Sequence, residues 1–157
     1  MLDIKWVGGT DADRARVGEQ HQNYLEANGS FDWERLMSVF SDSGYATYFN
    51  LNGHTYDGRA HWIELWKFYK TRVETGYWTP FELKGVMSGD LATVWCFRKT
   101  RNKWISSEPR PDLQRPQTGD ENVTRSTMVF ARENGDWRVV HVHFSDSKVG
   151  QPRPGNI

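Results

Sequence analysis

The spacing of apolar positions changes near Gly76. Before it, apolar residues recur at helical intervals; after it, they alternate or run together as in strands. Residues 11–28 (DADRARVGEQHQNYLEAN) set Val17, His21, Tyr24 and Leu25 on one helical face. Asp11 or Asp13 is the expected N-cap, and Asn28-Gly29 the stop. Ser30 and Asp32 are caps for a short second helix with Trp33, Leu36, Met37 and Phe40 inward. Residues 45–51 (YATYFNL) predict a strand, and Asn52-Gly53 a turn. A third helix is expected from Arg59 to about Glu74, apolar over much of its circumference through Trp62, Ile63, Trp66, Phe68 and Tyr69.

Strands are predicted over residues 79–87, 91–100, 123–132 and 137–145. Hairpin turns join them at 88–90 and at 133–136, the latter with a strong Asn-Gly signal. Helices followed by an antiparallel meander predict an α+β domain over residues 1–148, with three N-terminal helices on one face of the sheet. Residues 149–157 are expected to be a flexible tail. Residues 101–122 carry three prolines and much charge. A loop longer than a hairpin needs is either a lid over a pocket, a plain insertion or a subunit-contact arm.

The segment WRVVHVHFS (137–145) holds the main chemical signal. Strict alternation puts Trp137, Val139, His141, His143 and Ser145 on one face and Arg138, Val140, Val142 and Phe144 on the other. Both faces are largely apolar, and helices can cover only one. A second copy of the chain is expected to cover the face of Val140, Val142 and Phe144, giving a homodimer through the sheet. His141 and His143 are then either satisfied core imidazoles or a polar patch inside an apolar cavity. A zinc site is the weaker reading, because no carboxylate or cysteine stands at a recognised spacing. On the neighbouring strand Arg125 shares a face with Thr127, Val129 and Ala131. It is either an oxyanion anchor or half of a structural ion pair.

Composition narrows the function classes. Twenty basic and 20 acidic side chains cancel, which excludes a basic nucleic-acid footprint and gives no attraction to an anionic membrane. No apolar run is long enough to span a bilayer, the N-terminus lacks a signal-peptide core, and the one cysteine, Cys96, allows no intrachain disulfide. A cytoplasmic location is the resulting expectation. Aromatic residues, at 14%, are abundant: eight Trp, six Tyr and eight Phe. They either fill core and subunit interface or line a cavity for an aromatic ligand.

The element order, with the segment RSTMVFARENGDWRVVHVHFS (125–145), resembles the nuclear transport factor 2-like superfamily, its SnoaL-like domains in particular. It also resembles the association domain of calcium/calmodulin-dependent protein kinase type II. The likeness runs over roughly residues 11–146. It implies a cone: a curved antiparallel sheet with the three helices on its concave face. Enzymes of this superfamily include ketosteroid isomerase, scytalone dehydratase, limonene-epoxide hydrolase, polyketide cyclases and the diarylpropane lyases of lignin breakdown. The resemblance implies acid–base chemistry in the cone with no metal and no organic cofactor. In ketosteroid isomerase a general-base Asp follows the second helix, where this chain has Tyr48. That departure argues against the isomerase mechanism.

These readings assemble into an expected site. His141 or His143 shuttles a proton, Arg125 stabilises a developing oxyanion, and Tyr48 donates to a substrate oxygen. Tyr24, Tyr45, Phe49, Asn50, Trp62, Trp66 and Trp95 are the expected substrate-binding residues. The expected activity is a cofactor-free lyase, dehydratase or isomerase on an apolar, aromatic small molecule, with a lignin-derived diaryl compound as the sharpest case. A non-catalytic assembly or ligand-binding module is the alternative.

Overall fold

The computed structural model describes residues 1–110, 117–148, 150 and 152–155. Among them, the chain forms β1 (Lys5–Val7), α1 (Asp11–Asn28), α2 (Trp33–Leu36), β2 (Thr47–Phe49), β3 (Thr55–Asp57), α3 (Gly58–Lys70), β4 (Val73–Thr75), β5 (Thr79–Ser88), β6 (Leu91–Trp104), β7 (Thr118–Glu133) and β8 (Asp136–Asp146). One sheet runs β1-β5-β6-β7-β8-β2-β3, with β4 also paired to β6. The sheet is open and curved, and the helices pack on its concave side, as the sequence predicts.

Local chemistry sets the ends of these elements. The N-cap of α1 is Thr10 rather than Asp11 or Asp13: its Oγ1 accepts from the Asp13 amide at 3.2 Å and donates to the Asp13 carboxylate at 2.8 Å. Thr10 is extended while Asp13 is already helical, so the reciprocal pair closes the first turn. Asp13 also accepts from Arg132 and from the Trp137 indole, at 2.8 and 3.1 Å, tying α1 to β7 and β8. Asp32 caps α2 as expected, by accepting from the Arg35 amide at 3.0 Å. Met37, expected inward, is exposed. The third helix stops at Lys70, because Val73–Thr75 leaves it to pair with β6.

Pairing of β6 with β7 continues to Lys103↔Thr118. Nine of the 22 residues of the expected loop 101–122, at its two ends, are therefore sheet, and the expected lid is reduced to residues 105–117. Residues 111–116, where the rest of that expectation falls, lie outside the described residues, as do 149, 151, 156 and 157 of the expected tail.

The decisive irregularity is in β8. Val129 pairs with His141, but Phe130 pairs with Val139, so Val140 is an extra residue. A one-residue bulge exchanges the two faces of a strand. Trp137 and Val139 point into the core before it, and Val142 and Phe144 after it; all four are buried. His141 and His143 share a face, but it is the outer one. This corrects the strict alternation expected from sequence and reverses the roles of its two faces: Val142 and Phe144 serve the interior.

The core is correspondingly built from Trp62, Trp66, Trp137, Tyr24, Phe40, Phe130 and Met128. The face assignment has a direct stability test. Truncating buried Met128 to Ala lowers the unfolding free energy by about 2–5 kcal/mol in urea titration, whereas His143→Ala on the outer face changes it by less than about 1 kcal/mol. Comparable losses for the two variants would contradict it.

Candidate functional site in the cone

The concave side of the sheet and the inner faces of α1 and α3 enclose a cavity of about 60 Å³. Its walls are the rings of Tyr24, Trp62, Trp66, Tyr69, Trp78 and Phe144, and its polar groups are the amides of Asn28, Asn50, Asn102 and Gln117. The rings follow from helix and strand periodicity. Tyr24 and Asn28 lie one turn apart on α1, as do Trp62 and Trp66 on α3. Tyr24 stacks on Phe144 with ring centroids 6.1 Å apart.

Behind this wall lies a buried cation. Arg98 is on the inner face of β6, in the row Ala92, Val94, Cys96, Arg98, Thr100, and is fully buried. Its guanidinium lies 4.3 Å from the Phe144 ring centroid and 4.6 Å from that of Trp78. Nη1 donates to the Tyr24 hydroxyl at 3.2 Å. Nε and Nη2 have no hydrogen-bond partner among the described residues.

His21, one turn before Tyr24 on α1, is also fully buried, and neither ring nitrogen has a hydrogen-bond partner among the described residues. Burial, reinforced by the positive charge of Arg98, pushes its pKa down to about 3, so the imidazole is neutral at physiological pH. Burial raises the Tyr24 phenol pKa; the Arg98 charge and hydrogen bond offset part of the rise. Because Arg98 donates to the Tyr24 oxygen, the phenol O–H remains free to donate. The interior thus holds a neutral base, a neutral acid and a fixed cation.

Comparison with known proteins places this architecture. The profile of the SnoaL-like domain matches residues 17–147. The chain belongs to the SnoaL-like domain family. No protein of curated function gives a significant sequence match. Several solved structures share the fold. A Salmonella enterica serovar Typhimurium protein of the nuclear transport factor 2-like superfamily is 19% identical, with a TM-score of 0.70 over 92% of this chain and 100% of its own. A candidate dehydratase of that family from Streptomyces avermitilis is 20% identical, with a TM-score of 0.69 over 89% and 100%. A Pseudomonas putida protein of unknown function is 15% identical, with a TM-score of 0.69 over 94% and 100%. At these identities the likeness establishes the fold.

Within this SnoaL-like domain the residues expected from sequence separate into two groups. Tyr24, Asn50, Trp62 and Trp66 line the cavity. His141, His143, Arg125, Phe49 and Trp95 do not: the bulge in β8 and the parity of β6 and β7 turn them to the outer face. There His141 Nδ1 lies 2.6 Å from the Thr47 carbonyl oxygen, and Phe49 stands edge-on to both imidazoles. Arg125 Nε donates to Ser145 Oγ at 3.1 Å. Tyr45 is 65% exposed and donates to Glu133 at 3.3 Å. Tyr48 is buried between Phe40 and Trp62, and its hydroxyl donates to the Ser41 carbonyl at 3.3 Å, away from the cavity. Burial raises its pKa.

His21, Arg98, Trp78, Asn102 and Gln117 were not among the expected site residues. Arg98 had a usable signal, a charged residue at the inward parity of an apolar strand, and so had His21, on the apolar face of α1. Among the described residues no three His, Cys, Asp or Glu side chains gather as a metal site requires, and no helix is long and apolar enough to cross a membrane.

The neutral state of His21 makes stability depend on pH. An unfolded chain protonates this imidazole below its ordinary value of 6.5, whereas the folded chain resists protonation down to about 3. Its contribution is complete above pH 6.5 and is lost as the pH falls through that window, with a slope approaching about 1.4 kcal/mol per pH unit. Urea titrations of wild type and His21→Leu between pH 7 and 4 are expected to differ by this slope. Parallel curves would show that His21 is not held neutral by the fold.

Proposed function

We propose that this SnoaL-like domain is a cofactor-independent acid–base enzyme, a lyase, dehydratase or isomerase, acting on a small apolar, aromatic molecule bound in the cone. The observation that carries the reading is the gathering of His21, Tyr24 and Arg98 behind a wall of aromatic rings. In an elimination, the Tyr24 O–H, which lines the cavity, protonates the departing oxygen, which leaves as water or an alcohol. The proton lost by the substrate carbon passes through one intervening water to neutral His21, one turn away on α1 and behind the lining residues. Arg98, already beside the Tyr24 oxygen, stabilises the negative charge that develops there.

Substrate size is bounded by the cavity. An engineered cavity of about 150 Å³ takes up one benzene ring, and this one measures about 60 Å³. By that measure even a single ring enters only as lining side chains give way, and a lignin-derived diaryl compound is the upper limit of the proposal. The small volume also favours the alternative, a ligand-binding or assembly module without turnover.

Turnover separates the two. Purified protein is offered single-ring aromatic alcohols and diaryl diols, with absorbance reporting styrene- or stilbene-like products. His21→Asn and Tyr24→Phe are expected to lower kcat by at least about 100-fold, while His141→Ala and His143→Ala, on the outer face, stay within about threefold of wild type. Inactivity of the wild type across the panel supports the module; loss of activity only in the outer-face variants returns catalysis to that face.

We also infer that the outer sheet face is covered by a second copy of the chain. Val86, Phe49 and Trp95 remain 42, 40 and 38% exposed on it, an apolar surface that the chain's own helices do not reach. A homodimer so formed buries the His141 and His143 face, not the Val142 and Phe144 face expected from alternation. Sedimentation equilibrium should give a dimer for wild type and a monomer for Trp95→Asp; an unchanged mass for that variant would exclude this face. The single buried thiol, Cys96, fits a cytoplasmic setting.

A further inference from the structure

We propose that the ligand of the cone is a small monocarboxylate, held by the side edge of the Arg98 guanidinium. The inference rests on the reading of the cone as the binding site and names the chemical group recognised there.

Three observations converge. First, the two nitrogens of Arg98 that lack partners among the described residues are Nε and Nη2. These carry the two parallel N–H bonds on the side of the guanidinium, the pair that fits both oxygens of a carboxylate. The remaining edge is in use, since Nη1 donates to Tyr24 at 3.2 Å. Second, Phe144 and Trp78 cover the group at 4.3 and 4.6 Å, so a partner approaches in the guanidinium plane. Both rings, and Tyr24, also line the cavity in front of Arg98, so a carboxylate that reaches the guanidinium passes these rings and leaves its apolar remainder against Trp62 and Trp66. Third, further hydroxyls wait on the same inner face. Thr124 pairs with Arg98 across the β6–β7 ladder, and Ser126 with Cys96. Both are buried, and neither hydroxyl has a hydrogen-bond partner among the described residues. Asp146, opposite Thr124 on β8, is the acidic residue at this level of the sheet and has interactions of its own.

A buried guanidinium with two open donors is costly to keep. A bound carboxylate satisfies both donors and supplies the opposite charge in one step. A neutral amide of the same shape offers one acceptor oxygen and no charge, so the site discriminates between the two.

The test is calorimetric titration with acetate, butyrate and benzoate, each against its amide, at constant ionic strength. At least one carboxylate is expected to bind saturably, at least tenfold more tightly than its amide, and Arg98→Met to lose that binding by tenfold or more. Should Arg98→Met not fold, the Nε–H resonance of Arg98 in nitrogen-15-labelled wild type gives the same answer: it shifts with carboxylate and not with amide. Equal binding of acid and amide, binding retained in Arg98→Met, or an unmoved Nε–H resonance would overturn the proposal. A carboxylate that binds while no substrate turns over removes the enzyme reading and leaves this one. Turnover of neutral alcohols with no carboxylate binding does the reverse.

Discussion

Strand β8 answers to two partners on the same edge, and the extra residue at Val140 reconciles them. Before the bulge, Val139 exchanges hydrogen bonds with the loop after α2: its amide donates to the Val39 carbonyl and its carbonyl accepts from Ser41, each at 2.9 Å. After the bulge, β8 pairs in parallel with β2, in the register Thr47↔His141. Its other edge stays on β7 throughout. One inserted residue lets the strand bend between these neighbours and keeps an apolar residue inward on each side of the break. The interior surface made by Phe144, and the outward placement of the histidine pair, both depend on it.

That interior is unusual in what it tolerates. Burying a charge without an ionic partner is ordinarily prohibitive, and Arg98 takes part in none of the ion pairs found among the described residues. The two aromatic faces and one phenol that surround it supply a partial substitute through their quadrupoles and a single hydrogen bond. Burial first, and the Arg98 charge second, keep His21 neutral. Dry walls, a fixed cation and an uncharged imidazole are therefore consequences of one another rather than separate features. Polar groups elsewhere are handled conventionally: Gln20, buried on the same helix, donates to the Trp137 and Ser38 carbonyls.

Much of the fold was legible in the sequence, because its long elements carry unbroken periods. The bounds of α1 match its apolar spacing, and Asn134-Gly135, with φ of +50° and +80°, forms the tight turn that the dipeptide signals. The strands β1, β3 and β4 went unread, since three residues are too few to show a period and they form only by pairing with distant partners. The site was half legible. Trp62, Trp66 and Tyr24 are inward by helical spacing alone. His141 and His143 were misplaced because a bulge leaves no mark in an alternating string of Val and His, whereas Arg98 stood at inward parity on a regular strand. Parity arguments hold as far as the ladder is regular, and no further.

The hydrogen bonds from α1 to the final hairpin also govern the order of assembly. Asp13 waits for Trp137, and Gln20 for the Trp137 carbonyl, over a separation of 117 residues in the second case. A ribosome adding about 5–20 residues per second spends roughly 6–23 s covering that separation. For nearly all of that interval the ring of Tyr24, and for its later part those of Trp62 and Trp66, have no β8 to pack against. The contact that seals the cone is made late in synthesis, so the nascent chain carries the aromatic lining of its future cavity exposed to water and to whatever in the cell binds exposed rings.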